Sequence, residues 1–144
     1  MHKVFGKQEQ QQYLDRFGAY LIAIEHNKLA VVKTPKGYFL PGGGLENGES
    51  DVQCIKRECL EEIGCEVQVQ NFVCSAEKFV QHPNLGYFHP IQRFYCGKIG
   101  EKRQLPKETD HHFEWLDCQK AQNSLFVDMQ NWAVMFFLQN KSKG

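Results

Sequence analysis

Apolar residues gather in short dense runs, broken by proline, glycine and polar clusters, and their spacing predicts strands with two helices. Residues 17–25 carry Tyr20-Leu21-Ile22-Ala23-Ile24, a near-continuous run of the kind buried on both faces of a sheet. His26-Asn27-Lys28 marks a turn, after which residues 29–33 return as a second strand. A further turn at Pro35-Lys36-Gly37 leads into the short apolar segment Tyr38-Phe39-Leu40, and Pro41-Gly42-Gly43-Gly44 predicts a break in regular structure. Residues 50–63 predict the clearest helix. Ser50 with Gln53 makes a capping-box signature, Gly64 stands where a C′ glycine belongs, and Val52, Ile55, Cys59 and Ile63 form its buried stripe. Strands follow over 65–80, 87–98 and 112–116, with residues 81–86, containing Pro83 and Asn84, as a loop. Residues 128–139 predict a closing amphipathic helix whose Trp132, Met135, Phe136 and Phe137 belong to the core. Residues 8–12 form a polar entry segment, and no internal repeat or linker interrupts the chain.

At 144 residues the chain fits one domain. Lys+Arg and Asp+Glu are balanced at 17 each, which argues against DNA or RNA as the main partner. A small phosphate-bearing ligand stays compatible, because a bound metal can supply the missing positive charge. No run reaches the roughly 18 apolar residues that span a bilayer, and the first residues lack the apolar core of a secretory signal. The six cysteines include no CxxC pair, so free thiols in a reducing cytoplasm are expected.

Glu58, Glu61 and Glu62 lie three and four positions apart, so a helix projects them together beside its apolar stripe. Three like charges repel one another. The plain reading is a solvated acidic face relieved by Lys56 and Arg57. The context favours another: glycines precede the helix, Glu46 and Glu49 sit between, and clustered carboxylates with a backbone carbonyl are what a hard divalent cation takes. Glycines also allow close backbone approach to a metal or phosphate.

At these residues the chain resembles a known family. Gly43, five residues, Glu49, seven residues, then Arg57-Glu58-Cys59-Leu60-Glu61-Glu62-Ile63-Gly64-Cys65 resembles the Nudix box over residues 43–65. Cys59 and Cys65 depart from it where bulky aliphatics are usual, and both are apolar enough to be packed. The segment Tyr38-Phe39-Leu40-Pro41-Gly42 matches the usual lead-in less specifically. The resemblance implies an α/β (α+β) fold, an α/β/α sandwich with a mixed β-sheet between helices. It implies a pyrophosphohydrolase that uses magnesium or manganese to cleave a nucleoside diphosphate linked to another group, either a nucleoside triphosphate or a nucleotide sugar. It further implies Glu58, Glu61 and Glu62 as metal ligands, the Gly42 carbonyl as a fourth, Glu49 as a further acidic group, and Arg57 as the partner orienting a carboxylate. Homodimers are common among such proteins.

Beyond the box, the stretch 108–115 resembles a family segment that presents an acidic residue to the site. His112 stands at the usual glutamate, so Glu108 or Asp110 is expected in its place, with Glu77 as a further candidate. Phe79, Tyr87 and Phe88 are candidates for stacking on a base, and Pro83 leans toward dinucleotide or nucleotide-sugar substrates. His111 and His112 make a poor zinc pair, since neighbours on a strand face opposite ways. The competing reading is a non-catalytic nucleotide-binding regulator on the same fold, although such domains usually lose box glutamates.

Overall fold

The computed structural model describes residues 1–9, 11–84 and 86–141; Gln10 of the polar entry segment and Leu85 of the expected loop lie outside the described residues. In chain order the strands are β1 (His2–Phe5), β2 (Leu14–Ile22), β3 (Ile24–Glu25), β4 (Lys28–Thr34), β5 (Gly37–Phe39) and β6 (Gly42–Gly44). Helix α1 (Asp51–Ile63) follows, then β7 (Cys65–Lys78), β8 (Val80–His82), β9 (Gly86–Lys102), β10 (His112–Asp117), α2 (Cys118–Ala121) and α3 (Asp128–Lys141).

The apolar run at 17–25 serves two sheets. β2 lies in one sheet of order β1-β7-β9-β2-β6, with β8 added to β9, and β3 lies in a second of order β10-β4-β3, with β5 also on β4. β2 runs parallel to β9 and β1 parallel to β7, while the other pairs are antiparallel, so the larger sheet is mixed. Successive side chains alternate faces. Ala19, Leu21 and Ala23 therefore pack with Cys54, Ile55, Cys59 and Ile63 of α1, while Tyr20, Ile22 and Ile24 pack with Met129, Ala133 and Val134 of α3. β4 repeats the division, with Ala30 and Val32 on the α1 side and Leu29 and Val31 on the other. A run that is apolar without alternation is thus what a sheet between two helices requires. Among the described residues no helix is long and apolar enough to cross a membrane.

Several expectations need correction. Gly42–Gly44 is a strand paired with Gly18–Tyr20, not a break; glycine weakens a strand by entropy, and here close packing of backbone on backbone outweighs that cost. Val52 is 37% exposed and Cys54 is buried in its stead. Helical spacing gives direction but not depth, and the first turn is held instead by the polar grip of Asp51. The expected loop at 81–86 narrows to a turn at Pro83 and Asn84, because β8 continues the ladder on β9. On α3 the small residues Ala133 and Val134 are buried at the centre, and Trp132, Met135, Phe136 and Phe137 lie half-buried around them.

Candidate functional site

Both ends of α1 are fixed by local chemistry. Ser50 Oγ accepts the Gln53 N–H at 3.1 Å and Gln53 Oε1 accepts the Ser50 N–H at 2.9 Å, the reciprocal capping box. In the first turn Asp51 accepts from Arg93 Nε and Nη2 at 2.7 and 2.6 Å and from Tyr95 Oη at 2.6 Å. Burial works to raise the Asp51 carboxyl, but Arg93 and Tyr95 outweigh it and hold the group below its ordinary value. At the other end Gly64 is left-handed (φ 71°) and its N–H returns to the Leu60 carbonyl. The segment 103–111 docks there: Arg103 and Gln104 N–H groups donate to the Gly64 carbonyl at 2.7 and 3.2 Å, and the Lys107 N–H to the Glu61 carbonyl at 2.8 Å. It thereby covers the helix's free carbonyls. A side chain at Gly64 would begin 1.9 Å from the Gln104 carbonyl oxygen, so this docking needs glycine.

The glycine strand supplies the opposite wall. Gly42 (φ 141°) lies so close to β2 that a Cβ would stand 2.3 Å from the Ala19 carbonyl oxygen, and its N–H donates to Glu62 Oε1 at 2.9 Å. A Cβ on Gly43 would fall 2.7 Å from the Glu58 carboxyl carbon. Two of the three helix carboxylates are therefore pressed against bare backbone.

Arg57 organises the acidic groups. Its Nε and Nη2 grip Glu49 in a fork at 2.7 and 2.9 Å, Nη2 also donates to the Gly44 carbonyl at 3.1 Å, and Nη1 reaches Glu58 at 2.9 Å and Glu61 at 3.5 Å. The hydrogen bonds from Arg57, helped by the Glu46 N–H, hold the Glu49 carboxyl down at about 2. Burial pushes Glu62 up to about 8, the Gly42 N–H opposes this, and the charges of Glu58 and Glu61 add to it. Glu58 is also raised, by burial first, against the pull of Arg57. Lys107 Nζ stands 3.5 Å from Glu61.

Among the described residues no group of three or more His, Cys, Asp and Glu side chains is set to hold a metal ion. Glu58 and Glu61 are turned onto Arg57, and Glu62 onto the Gly42 N–H. In kind the donors still fit a hard divalent cation: three carboxylates on adjacent turns, one of them held above its ordinary value by burial first and by its neighbours' charges second.

A cleft of about 600 Å³ opens between the walls, lined among others by Tyr20, Lys36, Phe39, Gly42, Gly43, Gly44, Glu58, Glu62, Asp110 and His111. Of the two loop candidates, Asp110 lines it and Glu108 does not. Glu77, Phe79 and Tyr87 do not line it either. Glu77 is bound by His2 at 2.5 Å and His89 at 3.1 Å, His89 stacks on Phe79 at 4.1 Å, and Tyr13 sits edge-on to Phe79 and Tyr87. A larger cavity of about 840 Å³, lined by Ile63, Ile99, Phe113, Trp115 and His112, holds none of the box carboxylates and shares only His111 with the cleft.

Sequence reasoning missed three groups that neighbour site residues without lining the cleft themselves. Phe39 carries Phe126 against it, 61% exposed, with ring centroids 5.4 Å apart. Arg16 lies against Gly44, so that a Cβ there would stand 2.9 Å from its Nε. Lys107 belongs to the docked segment. The exposed Phe126 beside a buried Leu125 was a signal in principle, but only its partner on β5 identifies it.

Residues 13–136 match the family model described as NUDIX domain. Among solved structures the chain is similar to a NUDIX hydrolase from Nitrosomonas europaea (TM-score 0.73, 18% identity, covering 89% of this chain and 91% of that one). It is similar also to the E. coli dihydroneopterin triphosphate pyrophosphohydrolase (0.68, 18%, 86% and 95%). A third is an ADP-ribose pyrophosphatase from Streptococcus suis (0.65, 15%, 88% and 91%). At these identities the structural likeness establishes the fold.

Proposed function

The chain belongs to the NUDIX family of hydrolases, and from that premise we propose that it cleaves the diphosphate linkage of a nucleoside diphosphate joined to another group. The observation that carries this reading is that Glu58 and Glu62 line one cleft with the glycine strand, Glu61 standing one turn away on the same helix and held by the same Arg57, with the box's seven invariant Gly, Glu and Arg positions all filled. Glu58, Glu61 and Glu62, with the Gly42 carbonyl, would hold a divalent cation, magnesium or manganese. Bound there, such an ion neutralises phosphate charge and makes a coordinated water more acidic. Arg57 holds Glu49 and orients Glu58. Asp110, lining the cleft, is the loop acid that would take the proton from the attacking water. The water oxygen bonds to phosphorus, the phosphorus–oxygen bond to the leaving group breaks, and its electron pair departs with that oxygen. Five of the six cysteines are buried and all are free thiols, which suits a cytoplasmic setting.

The other end of the cleft supports a nucleoside as one half of the substrate. Phe39, which lines the cleft, and the exposed Phe126 against it offer an aromatic surface on which a base can stack, and Lys36 lines the same cleft as a cation for phosphate. Phe39→Ala should raise KM for a nucleotide substrate about tenfold, a typical loss for one stacked base, while metal affinity measured by titration stays at the wild-type value. An unchanged KM would move the base to another surface, the Phe79–Tyr87 cluster being next. The reading as a whole is tested by a phosphate-release screen over nucleoside triphosphates, nucleotide sugars and dinucleoside polyphosphates with magnesium or manganese. No turnover of any of them by folded protein would favour a nucleotide-binding regulator.

A further inference from the structure

Leu40 and Pro41 form the step by which the chain leaves one sheet for the other: β5 ends at Phe39 on β4, and β6 begins at Gly42 on β2. A backbone that changes sheets leaves its hydrogen-bond ladder, so its buried polar groups need other partners. The Pro41 carbonyl finds the Leu21 N–H at 2.8 Å. The Leu40 N–H, on a residue with no exposure, finds Gln130 Oε1 at 2.8 Å. Gln130 is only 1% exposed and belongs to α3, beside Met129, Ala133 and Val134, which all join the apolar core. A buried amide is costly unless bonded, and here its bond ends on the residue that launches the glycine strand.

We propose that Gln130 is a positioning residue for the candidate site. It pins the sheet-to-sheet step, and so sets where Gly42 stands when its N–H meets Glu62 and its backbone faces the helix carboxylates. The pinning is read from the fold alone; its consequence for metal binding rests on the hydrolase reading above.

Gln130→Met keeps side-chain length and removes the acceptor. Amide hydrogen exchange should quicken about tenfold or more at Leu40 and Gly42, the order expected when a buried hydrogen bond is lost, with amides of β4 and β7 unchanged. Calorimetric titration with Mn2+, without substrate, should show about tenfold weaker binding, with kcat lowered and KM little changed. Gln130→Glu retains an oxygen at the same reach and should restore slow exchange at both amides. Should Gln130→Met fail to fold, Gln130→Asn, one methylene too short to reach Leu40, is read by the same three measurements. A folded variant with wild-type exchange at Gly42 overturns the proposal, as does faster exchange confined to Leu40 with Mn2+ binding intact. If both amides exchange faster but even the wild-type protein binds no Mn2+, the positioning role stands and the hydrolase reading falls.

Discussion

Replacing Glu58 by glutamine is expected to cut turnover about a thousandfold, the scale of losing one electrostatic group at a reacting centre, without weakening the fold. Glu58 is a half-buried carboxylate held above its ordinary value chiefly by burial, and it presses directly on Gly43. Glutamine has the same shape, so the tight contact with the glycine backbone survives, and its Oε1 can still accept from Arg57. What disappears is one negative charge from a set whose members repel: Glu58 and Glu61 both push Glu62 toward its protonated form. Activity and stability should therefore separate, as they do where a site is kept under strain for its function. The melting temperature of Glu58→Gln should equal or exceed that of the wild type, and its Glu62 should titrate lower. Steady-state kinetics and thermal denaturation on one preparation decide the matter. A variant that keeps normal metal-dependent turnover would remove Glu58 from the machinery, and one that melts early would make its role structural.

What could be read along the chain was local. The capping box, the left-handed Gly64 and the shared face of Glu58, Glu61 and Glu62 each involve residues a few positions apart, where helix geometry leaves little choice. The two-faced burial of the run in β2 was legible for a similar reason, since a sheet between helices requires uninterrupted apolar runs; β4, read only as a strand, shares it. What escaped depends on distant partners. β1 gives no local signal, because its strand character comes from Ser75 to Lys78 of β7. Gly42 to Gly44 read as a break because glycine disfavours strands, and only the ladder to Gly18–Tyr20 overrules this. Asp110 rather than Glu108 reaches the cleft because 103–111 docks on the end of α1, a contact invisible in the acidic residues themselves. Gln130 carries no local signal of its role; its partner is ninety positions away.

Arg57→Ala should cost about 1–2 kcal/mol of stability in metal-free buffer, between what exposed and fully buried ion pairs are worth, because this network is part-buried. The guanidinium serves Glu49, Glu58, Glu61 and the Gly44 carbonyl together, and Glu46 lies within 3.6 Å. Without it, four carboxylates face one another with only the more distant Lys107 near Glu61. The pH dependence tests this account further. In the wild type the Glu49 carboxyl is held at about 2, chiefly by hydrogen bonds from Arg57, against an ordinary value of 4.5. A group whose folded value is depressed contributes stability that is complete above the unfolded value and is lost as pH falls toward the folded one. That contribution is present at pH 7 and fades between 4.5 and about 2 in the wild type, whereas the variant never has it. The difference in melting temperature between the two proteins, measured with EDTA present, should therefore narrow as pH is lowered through that window. Groups common to both proteins, such as Asp51 with Arg93, cancel in the difference. A gap that stays constant or widens toward acid would mean that Arg57 supports the fold through the packing of its stem, with its charge contributing little to holding the acidic cluster together.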